Sequence, residues 1–448
     1  MCKCSYAMSG TAGPSYRPSS TQESTTDRRR TVVVSLEAAE DQATPSLGRN
    51  ANFILLVGGQ FVSQLGDRLA MVAFPWLVYA TTGSALSTGA VLALFTVPYV
   101  LFGAVAGGLL DRTDKRAVMV AADIARAGLV LAVPFVAERS IVGVFALAFL
   151  TSCATVFFDP GLMALLPDVV PEGELLRANS VLTASSHITE IVGYAAAGFV
   201  VFYLATKTTF MVDAATFGVS AVTLLAMTLP GHRESGRPEA GAAGGRAARR
   251  PGLWAEIREG FVYLWRHAGL RANTILTVAV VAGVGAFYPL SFLLAMRRYD
   301  GTRAFGLMEA AIAVGFLIGS LAMGVLARRV HKGPAIVGGL MVMGICYALA
   351  WPLRPLSLLL ADFVVLGCAN GVLLISIDTY VQGTVPKALR GRVWGVRFML
   401  TQGVYAVGVL VAGALATGVP LGPLFVVCGL ILFVPALVAA FVPIVRDV

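Results

Sequence analysis

Four titratable side chains stand deep inside long apolar segments of this 448-residue chain: Asp67, Asp159, His187 and Glu190. An ionised group at the centre of a hydrocarbon layer costs roughly 2.5–3.5 kcal/mol on insertion scales, so each must be offset by a partner or put to use. Asp67 falls near the middle of one apolar segment and Glu190 near the middle of another. A carboxyl in such a place can bind a proton or a cationic substrate on one side of a membrane and release it on the other. The alternative is a structural strut, with Asp67 paired to Arg68 or another buried base. His187 and Glu190 are three residues apart and share a helix face, where they can relay a proton or form a plain hydrogen bond. Asp159 precedes Pro160 and Gly161, where an interrupted helix would bare its backbone to a cavity or cap itself. Asp123 and Arg126, again three apart, read as a structural charge pair.

The elements that must position these groups follow from composition. Hydrophobic residues make up 57% of the chain and charged residues 13%, against about 45–50% and about 25% in an average soluble domain. The apolar residues gather in a dozen runs, each long enough to cross about 30 Å of hydrocarbon as a helix. The runs lack period-two alternation, which favours helices over a barrel. The fold class expected is therefore all-α integral membrane, with twelve transmembrane helices at 52–80, 86–110, 117–137, 141–165, 177–203 and 207–229, then 272–296, 303–327, 334–353, 356–380, 393–418 and 422–443. Asp213, Glu309, Asp362, Asp378 and Arg397 lie within about two turns or less of a segment end, from which they can snorkel.

Four regions are expected: a disordered tail at 1–50, a six-helix bundle at 51–229, a connector at 230–271 and a second six-helix bundle at 272–448. The tail is rich in Ser, Thr, Ala and Arg and holds no apolar core suited to a signal peptide; Met8 offers an alternative start. The connector opens with a Gly, Ala and Arg-rich linker. It then places Leu253, Ile257, Phe261 and Leu264 at helical spacing, the pattern of an amphipathic helix on a membrane surface. With the N-terminus inside, one set of loops carries eighteen Lys and Arg and the opposite set six, which puts both termini in the cytoplasm. The net charge of +9 is explained by this topology, with no need of nucleic acid as a partner. The halves also repeat at an offset of about 215 residues: Gly107 to Arg116 matches Gly324 to Gly333, and Val170-Pro171 matches Val385-Pro386.

The end of the second segment carries Gly107, Asp111, Arg112, Lys115 and Arg116. Asp111 there can accept charge-assisted hydrogen bonds from basic groups and a helix N-terminus, latching one conformation; the plainer reading is a positive-inside anchor. This spacing resembles the cytoplasmic loop signature of the major facilitator superfamily, with Asp114 standing where that loop usually has a second Gly. Gly66-Asp67 before Pro75, Pro98, Leu166-Pro167-Asp168, Ala178-Asn179, Glu259-Gly260 and Arg390-Gly391-Arg392 resemble its macrolide-efflux and enterobactin-exporter-like branch.

The resemblance covers about residues 52–443 and implies two pseudo-symmetric six-helix bundles, a monomer in the cytoplasmic membrane of a bacterium. It also implies antiport by alternating access, with the proton gradient as energy source and a lipophilic drug, antibiotic or siderophore-like small molecule as substrate. Phe157, Phe158, Tyr194, Tyr288 and Tyr405 are candidates to line an apolar cavity for it, although lipid or helix packing explains them as well. No Walker loop, nucleophile constellation or metal-ligand cluster is present, so neither an ATP-driven pump nor an enzyme nor a cofactor is expected. Nutrient uptake and a non-transporting sensor or scaffold remain alternatives.

Overall fold

A computed structural model describes residues 47–110, 113–204, 206–228, 253–326, 331–386 and 389–442. Leu47–Val448 form one compact unit, and no strand occurs among the described residues. In chain order the first half holds α1 (Ala51–Thr82), α2 (Ala85–Leu94), α3 (Val97–Leu110), α4 (Lys115–Ala137), α5 (Ile141–Val169), α6 (Leu175–Tyr203) and α7 (Thr206–Ala226). The short α8 (Leu253–Arg266) precedes α9 (Ala268–Arg298), α10 (Thr302–Leu326), α11 (Lys332–Leu349), α12 (Leu356–Thr384), α13 (Arg390–Leu415) and α14 (Leu421–Ala440). Ten spans are long and apolar enough to cross a membrane, with α2 and the start of α3 counted as one. The other two long helices, α1 and α6, carry the polar residues Gln60, Gln64, Asp67, Arg68, His187 and Glu190.

Local chemistry fixes the helix ends. Asn50 caps α1 by accepting from Phe53 N, and its own amide donates to Val169 O at 2.8 Å, tying the start of α1 to the end of α5. Asp114 Oδ1 accepts from the amides of Arg116 at 2.9 Å and Ala117 at 3.3 Å, so the residue that departs from the loop signature is the N-cap of α4. At the C-terminus of α1, Gly83 adopts φ 61°, which frees its amide to bond Tyr79 O.

The second segment corrects an expectation. It was expected as one helix over 86–110, but it breaks between Leu94 and Val97. Pro98 has no N–H for the carbonyl four residues back, and its ring crowds that carbonyl. The amides of Thr96 and Tyr99 instead reach only three residues back, to Ala93 O and Thr96 O. Phe95 O, left without its helical donor, accepts from Ser152 Oγ of α5 at 2.7 Å.

Where the halves meet, glycines bring backbones together. Gly198 of α6 lies against Gly306 and Thr302 of α10, and Gly89 of α2 against Gly413 and Val409 of α13. Both contacts lie near the end of the bundle where α1 stops and α2 starts. A Cβ on Gly306 would stand 2.6 Å from Gly198 Cα and 2.5 Å from Tyr194 O. Gly306→Leu is expected to lower stability in detergent by about 1–3 kcal/mol. Gly324→Leu, at a position with nothing within 4 Å, is expected to leave it unchanged. Thermal unfolding of the two purified variants checks this, and equal midpoints would show that the close approach is not needed.

Candidate substrate and coupling site

A cavity of about 290 Å³ opens inside the first half. Its polar lining comes from Gln64, Asp67 and Arg68 of α1, Tyr99 of α3, Thr151, Ser152, Thr155 and Asp159 of α5, Ser186 of α6 and Asp213 of α7. Its apolar wall is Met71, Phe74, Phe95 and Phe217. The break before Pro98 therefore has a consequence beyond the helix itself: it sets Phe95 and Tyr99 at the cavity edge.

Arg126 of α4 stands behind this lining and is nearly inaccessible. It donates to the fully buried Asp123 one turn earlier, and its Nη1 is 3.9 Å from Asp67 Oδ1. Its guanidinium lies between two rings, 4.3 Å from the centroid of Phe158 and 4.3 Å from that of Phe217. Desolvated cation–π contacts of this kind contribute about 2 kcal/mol. Asp159 accepts from Tyr99 Oη at 2.8 Å.

A second network lies beside the first. Arg68 Nη2 donates to Glu190 Oε1 at 3.3 Å and Nη1 to Tyr194 Oη at 3.3 Å. The stem of Arg68 passes over Gly193, where a Cβ would come within 2.8 Å of Arg68 Cγ. His187 Nδ1 is 3.3 Å from Glu190 Oε2, and its ring faces Phe316 of α10 at 5.4 Å. Thr189 Oγ1 donates to Gln64 Oε1 at 2.9 Å, a further tie between α6 and α1. Asp67 and Arg68, neighbours in sequence, thus serve different networks.

The aromatic residues expected to line one cavity divide three ways. Phe158 packs on Arg126. Tyr194, Tyr288 and Tyr405 gather around Glu309 of α10, in electrostatic reach of one another. Phe157 is half-buried, and the cavity's own aromatic residues are Phe74, Phe95, Tyr99 and Phe217. The reason is register: side chains on α5 at positions 158 and 159 point to different faces, and the cavity takes Asp159. In the loop signature, Asp111 and Arg112 lie outside the described residues and Gly107 belongs to α3. Lys115 Nζ donates to Asp168 Oδ2 at 2.8 Å and to Ala164 O at 2.9 Å. Arg116 donates to Leu225 O at 2.6 Å. These contacts pin α4 to the ends of α5 and α7.

The sequence reading left Asp213 and Glu309 unassigned, yet both are buried inside the bundle. A usable signal was present for Asp213: Thr209, Asp213, Thr216 and Ser220 recur at helical spacing and form a polar stripe on α7.

A helical bundle with this internal polar cavity and paired halves is the architecture of a secondary transporter. The family model described as Major Facilitator Superfamily matches residues 56–408 and again 302–447. This chain belongs to the Major Facilitator Superfamily and is a multi-pass membrane transporter of a small molecule, not an enzyme. It is 28% identical over 406 residues to the multidrug efflux pump Tap of Mycolicibacterium fortuitum, covering 88% of this chain and 96% of that protein. It is 28% identical over 301 residues to macrolide efflux protein A of Streptococcus pyogenes, covering 65% and 71%. Among solved structures, the nucleoside transporter NupG superposes with a TM-score of 0.67 at 15% identity, covering 87% of this chain and 98% of that one. An inward-facing bacterial homologue of the iron transporter ferroportin gives 0.64 at 14%, covering 87% and 99%. These two likenesses concern the fold.

Removing one member of the Asp123–Arg126 pair strands the other charge. Asp123→Ala and Arg126→Ala are each expected to destabilise the protein by about 3–5 kcal/mol. The double variant Asp123→Ala with Arg126→Ala is expected to lose less than the sum of the two. A double-mutant cycle on detergent-solubilised protein checks this, and strictly additive losses would show the two side chains to be uncoupled.

Proposed function

We propose that the protein exports a lipophilic drug, antibiotic or siderophore-like small molecule from a bacterial cytoplasm, driven by proton influx. The observation that carries this reading is the cavity in the first half. It joins an apolar wall of Phe74, Phe95 and Phe217 to carboxylates on three helices. Such a lining takes a molecule that is mostly apolar but carries a positive charge or a proton. The printed names of Tap and macrolide efflux protein A support outward transport of drugs. Asp67 is the favoured coupling residue, because it faces the cavity and touches Arg126 at once. Glu190 with His187 forms the second coupling candidate, Asp159 a third, and the 107–116 loop the gate.

The chain acts as a monomer with both termini in the cytoplasm and no nucleic-acid partner. Two bundles, 51–229 and 272–448, move about the connector at 230–271, and 1–50 is a tail. In that orientation the glycine contacts Gly198–Gly306 and Gly89–Gly413 close the extracellular end. Substrate then reaches the cavity from inside. Separating those contacts while the opposite end closes would complete alternating access.

Efflux of a panel of lipophilic dyes and antibiotics from cells expressing the wild type tests the reading. Efflux is expected to collapse with a protonophore, and Asp67→Asn or Glu190→Gln at matched expression is expected to lower it at least tenfold. If no panel member moves, the drug-export assignment falls and saturable uptake of nutrients takes its place. If transport ignores the protonophore, proton coupling falls alone.

A further inference from the structure

Asp213 is fully buried in α7 and lines the cavity. Neither of its carboxyl oxygens has a hydrogen-bond partner among the described residues. The nearest hydroxyl on its own helix, Thr216 Oγ1, donates instead to the backbone carbonyl of Asp213 at 2.7 Å. Across the interface stands Gly66 of α1, where a Cβ would come within 2.5 Å of Asp213 Oδ1. The charged groups in electrostatic reach are Asp67 of α1 and Arg126 of α4. Arg126 is already committed, since it donates to Asp123 and approaches Asp67. Around the same cavity Asp159 of α5 is met by Tyr99, and Arg68 is engaged by Glu190. Asp67, Asp123, Asp159 and Asp213 all lie in electrostatic reach of the guanidinium of Arg126.

Asp67 and Asp159 open onto the cavity, whereas Asp123 and Asp213 are fully buried, and two buried anions near one guanidinium leave one charge unopposed. Three of the four have a partner within reach: Asp123 the guanidinium it accepts from, Asp67 the same guanidinium at its edge, Asp159 a phenol. Asp213 has only the Thr216 hydroxyl in reach, whose single proton goes to the backbone carbonyl of Asp213, and an ionised carboxylate so poorly met is the costliest state a buried group can take. A protonated carboxyl removes the charge altogether.

We propose that Asp213 holds the exchanged proton of this transporter in the state seen here, and that a cationic substrate entering the cavity displaces it. The proposal rests on the reading of proton-coupled export and adds Asp213 to the coupling group as the residue that holds the proton, with Asp67, in electrostatic reach of it, linking the exchange to Arg126. The O–H bond of Asp213 breaks, the proton leaves through the cavity to the side from which the substrate came, and the substrate's positive charge takes its place beside the carboxylate. One proton thus balances one monovalent cation at this site. On the other side of the membrane a proton returns to Asp213 and the cation is lost. Gly66 keeps α1 close enough to shield the carboxyl, and Arg126, held by Asp123, prevents a second anion from forming at Asp67 unopposed.

The test uses the full chain in detergent and in liposomes, with ethidium as the probe cation. In weakly buffered solution with a pH indicator, wild-type protein is expected to release close to one proton per bound ethidium, and Asp213→Asn none. Asp213→Asn is expected to lower gradient-driven ethidium accumulation in liposomes at least tenfold and to abolish the pH dependence of ethidium binding that the wild type shows. A purely structural role would lower the amount of ethidium bound but leave the protons released per ethidium and their pH dependence as in the wild type. Should Asp213→Asn fail to fold, wild-type protein is treated with a hydrophobic carbodiimide, which modifies protonated buried carboxyls, and the adduct is located by peptide mass spectrometry. An adduct on Asp213 that ethidium suppresses supports the proposal. Undiminished proton release or gradient-driven transport in Asp213→Asn, or a carbodiimide adduct confined to other residues, overturns it. Absence of gradient-driven transport in the wild type would instead remove the export reading on which it stands.

Discussion

A guanidinium inside a membrane bundle has to be met by an anion and by surfaces that replace water, and Arg126 is where this protein meets that demand. Asp123 supplies the anion from the same helix. Phe158 of α5 and Phe217 of α7 supply the faces. Asp67 of α1 supplies a second, looser carboxylate. Helices α1, α4, α5 and α7 therefore converge on one side chain, and the spacing between α1, α5 and α7 that results is the cavity. A shift of any one of them would leave the cation partly unmatched, at a cost of several kcal/mol. The same convergence that meets the cation thus shapes the cavity beside it.

The contacts between halves have a different character. They are made of glycine on glycine and of aromatic edges such as Tyr79 with Phe292 and Tyr99 with Phe398. Backbones in close contact gain dispersion energy over a short stretch, and they lose it by parting without stranding a charge. An interface of that kind can open. Were Arg126 placed between the halves in place of Gly198 and Gly306, each transport cycle would have to expose and rebury an ion pair. A cation at this seam, Arg303 of α10, meets the ring of Phe199 on α6 and is itself open to solvent, so that contact too can part without stranding a buried charge.

Much of this was legible in the sequence. The helix number, the paired halves and the amphipathic α8 follow from hydropathy length and period, because lipid leaves backbone polar groups no alternative. The spacing of Asp123 and Arg126 placed the two on one face, and His187 and Glu190 likewise. What sequence could not supply is rotation of one helix about its axis relative to its neighbours. That rotation sends Phe158 to Arg126 and Asp159 to the cavity, gathers Tyr194, Tyr288 and Tyr405 around Glu309, and turns Asp67 and Arg68 to separate networks. Asp213 was misjudged for another reason. Its distance from the end of the apolar run suggested snorkelling, whereas the tight contact of α7 with α1 at Gly66 shuts the carboxyl inside. Pro98 was visible as a residue, but the rescue of Phe95 O by Ser152 belongs to tertiary structure alone.

The repeat between the halves preserves shape more faithfully than charge. The second half also buries an arginine, Arg397 of α13, but its acceptors are Asn273 at 2.9 Å, Thr274 at 2.8 Å and Thr277 at 3.0 Å. These are neutral oxygens on α9, and the carboxylate in electrostatic reach is Asp378 of α12. Arg126 has carboxylates where Arg397 has an amide and two hydroxyls. The same structural problem, a cation in a bundle, has thus been met in one half by titratable partners and in the other by fixed dipoles.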